Sequence, residues 1–177
     1  MTILGTVIVI LGLIILAVKL FLDHLGKEEI RVKILERTPF EVVKADATCM
    51  TIKTRLEFAN EGKQVGTIMD CFVRPQLPYE QYDGIEAWGK AEREGAPRED
   101  SYFEAVLIEH QQSIFVNLLL TLRARKGMSL QEALASMVDF PTELIYEETG
   151  RRPWHYSKVS IEILAEELRK LYAGAKK

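Results

Sequence analysis

The sequence predicts a mainly β protein: an antiparallel β-sandwich with one inserted helix and a C-terminal helix, preceded by one transmembrane helix. The first observation behind this prediction is a long apolar segment at the N-terminus. The second is a series of about nine later segments in which apolar and polar residues alternate, separated by turn residues. The third is the lack of strands alternating with long helices, which disfavours a parallel sheet.

The composition is that of a globular protein and gives no sign of nucleic-acid binding. A length of 177 residues fits one domain with a small appendage, and 47% hydrophobic residues exclude a disordered chain. Lys and Arg number 23 against 26 Asp and Glu, a net charge of -3. Nucleic-acid-binding domains usually carry a basic surface, so we expect no nucleic-acid partner.

The segment from residue 3 to residue 22 predicts a membrane anchor. Its residues are apolar except at four positions, which are Gly5, Thr6, Gly12 and Lys19. A helix of this length spans roughly 30 Å, the thickness of the hydrocarbon core of a bilayer. A cleaved signal peptide would need a basic first region and a small-residue cleavage site, and the sequence shows neither. We therefore expect an uncleaved anchor over residues 1–23 that contacts lipid through residues 3–22.

The sequence leaves open the side of the membrane on which the remaining residues lie. Basic residues flank only the C-terminal end of the apolar segment: Lys19, Lys27, Arg31 and Lys33. This asymmetry favours a cytoplasmic location by the positive-inside rule. Analogy with small β-domains on bacterial anchors favours the extracytoplasmic side.

A polar linker is predicted over residues 24–29 and the sandwich over residues 30–163. The clearest alternation of apolar and polar residues lies in Met50–Phe58, Ile114–Ala124 and Val159–Ile163. Weaker strands are predicted at Ile30–Glu36, Phe40–Ala45, Val65–Arg74, Ile85–Ala91, Tyr102–Ile108 and Glu143–Glu147. The residues His110–Ser113 between two predicted strands suggest a hairpin.

Two helices interrupt this pattern. The first begins at a capping box, Ser129 to Glu132, and Pro141 should end it near Asp139. The second belongs to the predicted C-terminal helix and tail, residues 164–177. Its apolar stripe consists of Leu164, Leu168, Leu171 and Tyr172.

Signatures of catalysis or metal binding are missing from the sequence. It contains no phosphate-binding loop, nucleophile elbow or zinc-protease motif, and its histidines, His24, His110 and His155, are scattered. The acidic residues between Glu92 and Glu104 are interleaved with arginine, which indicates a solvated loop rather than a calcium site. We predict a protein that is not an enzyme and has no cofactor and no metal.

The two cysteines allow two interpretations. Cys49 and Cys71 lie on or near predicted strands that could pair as neighbours. They are small buried hydrophobic residues, or they form a disulfide if the domain faces an oxidising compartment.

Two loops carry the side-chain types that dominate binding surfaces. We take as partner-binding candidates Arg74, Tyr79 and Tyr82 from the first loop and Arg151, Arg152, Trp154 and Tyr156 from the second. The alternative is that these aromatic residues cap an end of the sandwich. A further interpretation of Arg151-Arg152 is contact with lipid phosphate.

The turn Phe58-Ala59-Asn60-Glu61-Gly62, at the end of an alternating strand, resembles the strand–Asn–x–Gly turn of bacterial immunoglobulin-like envelope domains. The likeness covers Thr48 to Arg74, and the whole chain resembles single-pass bacterial membrane proteins with an immunoglobulin-like β-sandwich domain. The resemblance implies a sandwich used for contact rather than catalysis. The predicted function is a non-catalytic module for protein interaction, self-association or envelope structure. The alternative is a ligand-binding module for a small molecule, a sugar or a lipid headgroup.

Overall fold

The computed structural model describes residues 2–175 and begins with one long apolar helix. This helix, α1, covers Thr2–Leu25. Its segment Ile3–Leu25 is long and apolar enough to cross a membrane, and its residues are exposed rather than packed against the rest of the structure. Gly26 ends the helix, because its φ of +69° is a conformation that favours glycine.

After α1, the described part of the chain contains nine strands, two short α-helices and one 3-10 turn. The strands are β1 (Ile30–Val32), β2 (Glu41–Ala45), β3 (Cys49–Asn60), β4 (Gly66–Pro75), β5 (Ile85–Arg93), β6 (Val106–Ile108), β7 (Ser113–Ala124), β8 (Phe140–Thr149) and β9 (His155–Ile163). The helices are α2 (Leu130–Ala135) and α3 (Ala165–Ala175). Each predicted strand has a counterpart, and the alternation of buried and exposed residues along β3 and β7 explains why they form.

The strands form two antiparallel sheets that pack face to face. The first sheet has the order β1-β3-β7-β5, with β2 also paired to β3, and the second has the order β6-β4-β8-β9. The orders β2-β3-β7-β5 and β4-β8-β9 correspond to the ABED and CFG sheets of an immunoglobulin domain, with β6 as an additional edge strand. The predicted fold class, an antiparallel immunoglobulin-like sandwich with one inserted and one C-terminal helix, is confirmed.

The core lies between the sheets and continues beneath the two helices. Phe58 and Tyr146 face each other across it with ring centroids 5.1 Å apart. The predicted capping box is present, since the Ser129 side chain accepts from the Glu132 backbone and Glu132 binds back to the Ser129 backbone. The Tyr172 hydroxyl on α3 donates to the Asp46 carbonyl at 3.0 Å, which holds α3 against the end of the sandwich opposite α1.

Some local expectations were wrong. The segment Ile30–Glu36 is a short strand followed by a 3-10 turn, only Val106–Ile108 of the expected strand 102–108 is formed, and α2 ends at Ala135 rather than near Asp139. His110–Ser113 is not a hairpin, because β6 pairs with β4 in one sheet and β7 pairs with β3 in the other. Two backbone hydrogen bonds hold this connection at the end of β3. The Asn60 N–H donates to the Gln112 carbonyl, and the Gln111 N–H donates to the Asn60 carbonyl.

The two cysteines are both free thiols. Cys49 lies on β3 and Cys71 on β4, so the strands that carry them belong to opposite sheets and are not paired neighbours. Burial raises the pKa of the Cys71 thiol, which is consistent with a small hydrophobic residue of the core.

Candidate functional site

The end of the sandwich next to α1, called the helix-proximal end, consists of the β3–β4, β6–β7 and β8–β9 turns. Hydrogen bonds fix the end of α1 to this surface. Gln64 Nε2 donates to the Leu25 carbonyl at 2.8 Å, and Arg151 Nη1 donates to the Gly26 carbonyl at 2.9 Å. The Lys63 backbone N–H donates to the Lys27 carbonyl at 2.9 Å. The expected linker is therefore held by the domain along its length.

Asn60 organises the β3–β4 turn and the segment that enters it. Its Oδ1 accepts from the backbone N–H groups of Glu29 and Gly62, at 3.1 and 3.0 Å. Its Nδ2 donates to the carbonyls of Gln64 and Ile108, at 2.8 and 2.9 Å. All four bonds of the side-chain amide are used, so Asn60 ties three separate segments of chain together.

Glu28 is a fully buried carboxylate at the same end of the molecule. It accepts from the Arg152 guanidinium at 2.9 Å and from the backbone N–H groups of Arg151 and Arg152, at 2.8 and 3.2 Å. Burial alone would raise the pKa of Glu28, but a hydrogen bond from its own backbone and the three bonds from Arg151 and Arg152 together outweigh burial and lower it. The β8–β9 turn thus grips the segment that follows α1.

Arg152 joins Glu28 to a second buried carboxylate. Its Nη2 donates to Glu148 Oε1 at 2.9 Å, and the Ser157 hydroxyl donates to Glu148 Oε2 at 3.3 Å. His155 Nε2 lies 3.7 Å from the same Oε2. Both oxygens of Glu148 are therefore engaged in an ion-pair network. Across residues 2–175, no three His, Cys, Asp or Glu side chains form a group that could hold a metal ion.

The first candidate loop is fastened to the domain by its tyrosines. The Tyr82 hydroxyl donates to the Ala133 carbonyl on α2. The Tyr79 hydroxyl accepts from the Ala87 backbone N–H at 3.3 Å and so covers part of β5, an edge strand. Tyr79 and Tyr82 stabilise the loop, and Tyr79 remains 42% exposed.

The outer surface of the second sheet carries a group of outward-facing hydrophobic side chains, which we call the apolar face. It consists of Met69, Phe72, Leu107, Ile145 and Tyr156. Phe72, Leu107 and Tyr156 are 46%, 66% and 61% exposed. Cross-strand pairing places Leu107 in the row nearest the helix-proximal end, Tyr156 in the next row and Phe72 in the third.

The outer surface of the first sheet differs, because its aromatic rings are covered by arginine. The Arg55 guanidinium lies 4.3 Å from the centroid of Phe115, and that of Arg123 lies 5.1 Å from the centroid of Trp88. On the apolar face, the part of the chain that the structure describes places no cation over Phe72 or Tyr156. Aromatic rings on the outer surface of the second sheet are therefore open to solvent, whereas those on the first sheet lie beneath arginine side chains.

Five of the seven candidates lie at the helix-proximal end or at the outer surface of the second sheet, whereas Tyr79 and Tyr82 belong to the loop between β4 and β5. Arg151 and Arg152 belong to the helix-proximal end, whereas Arg74 and Tyr156 face outward on the second sheet. Trp154 is 63% exposed and stacks edge-on with Tyr156 at 5.8 Å. Arg74, Trp154 and Tyr156 thus lie on or beside the outer surface of the second sheet. A binding role for the seven candidates remains a prediction.

Sequence reasoning did not select Phe72 and Leu107. A signal for Phe72 was present, because Cys71-Phe72-Val73 is a continuous apolar run within a predicted strand. Successive strand residues face opposite sides, so such a run must expose one apolar side chain. Asp70, with a φ of +48°, lies where the β4–β8 pairing shifts register, and this shift selects Phe72 as the exposed residue.

A shallow cleft between α2 and α3 is the counterpart of the predicted ligand-binding alternative. It has a volume of about 450 Å³ and is lined mainly by apolar groups. Its polar groups already have partners: Arg169 Nη1 donates to the Leu134 carbonyl at 3.0 Å, and the Tyr172 hydroxyl donates to Asp46. The cleft therefore offers few unengaged groups to orient a ligand.

The chain matches no protein-family model and no curated protein. Among solved structures it is similar to the GAE domain of GGA2p from Saccharomyces cerevisiae, with TM-score 0.37 and 8% identity over 76% of this chain and 88% of that one. A FixG-related protein from Vibrio parahaemolyticus gives TM-score 0.37 and 12% identity over 77% and 94%. The yeast GGA1_GAE domain gives 0.32 and 5% over 71% and 98%. These low TM-scores leave the fold assignment to the strand order described above.

Proposed function

We propose that this protein crosses the membrane once through α1 and that its sandwich is a non-catalytic module which binds a partner protein. The observation that supports binding is the apolar face. Phe72, Leu107 and Tyr156 are exposed in adjoining rows, and within residues 2–175 no cation lies over either aromatic ring. The Tyr156 hydroxyl is engaged by Glu147 of the same row, which leaves the ring itself exposed. Contiguous exposed apolar patches mark interaction sites, and tyrosine is among the residues that dominate the binding energy at protein interfaces.

The position of the apolar face indicates the kind of partner. Its first row, at Leu107, adjoins the helix-proximal end, and Phe72 lies two rows further along the strands. The β8 residues of these two rows, Thr149 and Ile145, are four residues apart, a distance of about 13 Å. A partner that contacts all three rows must itself stand beside the bilayer, so the proposed partner is another membrane-associated protein.

Site-specific photocrosslinking in the full chain tests this proposal. A photoreactive residue replaces Leu107, Phe72 or Tyr156 in turn, and the control replaces Thr121 on the outer surface of the first sheet. The three apolar-face positions should give an adduct with the same membrane-associated protein, identified by mass spectrometry. Thr121 should give none.

A second variant makes the result specific. Tyr156→Asp places a charge in the middle row of the apolar face, on edge strand β9, and should abolish the adduct formed at Phe72, whereas Thr121→Asp should leave it intact. Different adducts at the three positions, or an adduct that survives Tyr156→Asp, would contradict the proposal. An adduct of twice the mass of the chain would show that the bound partner is a second copy of this protein rather than a different protein.

A further inference from the structure

We infer that the helix-proximal end binds the phosphate groups of anionic phospholipids through Lys27, Lys63 and Arg151, with Trp154 seated at the membrane surface. This inference rests on the proposed membrane anchoring of α1. It adds a second binding surface, which adjoins the apolar face where Trp154 stacks on Tyr156, and a defined ligand. The apolar face would bind protein, whereas this end would bind lipid.

The depth of α1 in the bilayer determines where Gly26 lies relative to the lipid phosphates. The hydrocarbon core accommodates about twenty helical residues, which corresponds to residues 3–22. Gly26 then lies about 6 Å beyond the hydrocarbon boundary, at a rise of about 1.5 Å per residue. The headgroup layer on each side is of similar thickness. A side chain that touches Gly26 is therefore at the depth of the lipid phosphates.

Two basic side chains make that contact. Arg151 Nη1 donates to the Gly26 carbonyl at 2.9 Å. The aliphatic stem of Lys63 packs over Gly26, where a built Cβ atom would lie 2.9 Å from Lys63 Cδ. Lys27 follows Gly26 directly in the chain. These contacts place three cationic groups around the last turn of α1.

The charge of the three basic residues is not neutralised within the protein. Lys27, Lys63 and Arg151 are exposed, and within residues 2–175 none of them forms a salt bridge. Arg152 differs, because Glu28 and Glu148 both bind it. Asp23 lines the same cleft, and Arg152 balances only one of the two carboxylates that it binds. The three cations still exceed these two carboxylates by one positive charge, which remains for anionic headgroups.

A cleft between α1 and the β8–β9 turn provides space for a headgroup. It has a volume of about 310 Å³ and is lined by Leu22, Asp23, Gly26, Lys27, Arg151 and Arg152. Leu22 marks the hydrocarbon side of the cleft, and Lys27 and Arg151 mark its polar side. This order of groups matches the order of acyl chain and phosphate in a phospholipid.

Trp154 provides the probe. The chain contains two tryptophans, Trp88 and Trp154. Trp154 follows the turn that carries Arg151, and an exposed indole at this height is typical of the aromatic belt of membrane proteins. Trp88 pairs with Thr121, eight residues along β7 from Ser113, and therefore lies about 26 Å from the helix-proximal end.

Tryptophan quenching by brominated lipids in liposomes containing the full chain tests the inference. Trp88→Phe leaves Trp154 as the emitter, and Trp154→Phe leaves Trp88 as the control. Brominated lipid should quench Trp154 and leave Trp88 nearly unaffected. At equal lipid fraction, brominated phosphatidylglycerol should quench Trp154 about twofold or more strongly than brominated phosphatidylcholine, because the anionic lipid gathers at the basic residues.

Charge variants separate lipid binding from mere proximity. Lys27→Gln/Lys63→Gln keeps the hydrogen bond of Arg151 to Gly26 and should reduce the preference for the anionic lipid, and adding Arg151→Gln should abolish it. The matched control Lys44→Gln/Arg125→Gln/Lys126→Gln removes three charges near the opposite end and should change nothing.

The outcomes that overturn the inference are distinct from failure of the anchor. Quenching of Trp154 no stronger than that of Trp88 would show that this end does not touch the bilayer. Equal quenching by the two lipids would show contact without phosphate recognition by charge. If the wild-type chain were released from membranes by alkaline carbonate, the proposed anchoring itself would be wrong.

Discussion

The buried carboxylate of Glu28 binds the start of the domain to its last hairpin. Its lowered pKa means that the ionised carboxylate is more stable in the folded state than in the unfolded state. This stabilisation is fully present above the pKa of an unfolded glutamate, about 4.3, and is lost as the pH falls through the lower folded pKa. The grip on the segment after α1 is therefore acid-sensitive.

Glu28→Gln should destabilise the domain because the new amide places donor groups against the guanidinium and the backbone N–H groups of Arg151 and Arg152. We expect a loss of about 1–3 kcal/mol in the free energy of unfolding at neutral pH. Urea unfolding in detergent, followed by tryptophan fluorescence at a series of pH values, measures it. The difference from wild type should shrink below about pH 4, as the native carboxylate becomes protonated.

The exposed residue Glu162 on β9 provides the control. Glu162→Gln should shift the unfolding midpoint little at any pH. A Glu28→Gln variant as stable as wild type at neutral pH, or equally destabilised at all pH values, would contradict the assigned role of the carboxylate.

Single residues differ in how far the sequence predicts their role. Asn60 and Gly62 stood out, because an Asn-x-Gly turn after an alternating strand is a local signal. Glu28 did not, since it belongs to a short polar segment and its partners Arg151 and Arg152 lie more than a hundred positions away. Local patterns carry no information about such pairing, and so the segment 24–29 was expected to be a simple linker.

Elements were easier to predict than their partners. The period of two along β3 and β7 determines a strand wherever one face is buried. It does not determine which sheet the strand joins. The connection at His110–Ser113 satisfies the local requirements of a hairpin, yet it crosses between the sheets because β7 completes the long pairing with β3. Pairing between distant strands is a property of the whole core.

Packing between the two sheets depends on Gly89 in β5. A Cβ atom at this position would lie 2.2 Å from Val73 Cγ1 and 2.6 Å from Val73 Cβ on β4. A glycine inside a predicted strand signals such a close approach. This contact joins edge strand β5 of the first sheet to β4 of the second.

Gly89→Ala should destabilise the domain by about 1–3 kcal/mol, because one strand must move to make room. Val73→Ala removes the clashing Cγ1 atom but retains Cβ. Gly89→Ala should therefore cost less free energy of unfolding in the Val73→Ala background than in the wild type. Urea unfolding of the four proteins of this double-mutant cycle measures the difference. Gly174→Ala in α3 is the control, since nothing lies within 4 Å of its built Cβ atom. Additive effects of Gly89→Ala and Val73→Ala would contradict direct packing.

At the scale of the whole molecule, the hydrogen bonds at Leu25, Gly26 and Lys27 make α1 and the sandwich one unit rather than two bodies on a flexible tether. Anchoring of α1 would then fix the apolar face beside the bilayer and the helix-proximal end against it. The apolar segment was predictable because hydropathy is local. The side of the membrane was not, since the flanking charges and the fold analogy favour opposite sides.

The proposed anchoring of α1 requires that its centre be free of charge. Leu11→Arg/Ile14→Arg places two charges at the centre of α1, each costing about 2.5–3.5 kcal/mol in the bilayer, and should move much of the chain into the supernatant after alkaline carbonate extraction. Leu35→Arg/Val43→Arg adds the same charge at exposed positions of the domain and should leave the chain in the pellet with the wild type. Mass spectrometry of the wild-type pellet should recover residues 1–25 if α1 is the proposed uncleaved anchor. Release into the supernatant of a shorter chain that lacks residues 1–25 would identify α1 as a cleaved signal sequence, and the sandwich would then act without a tether.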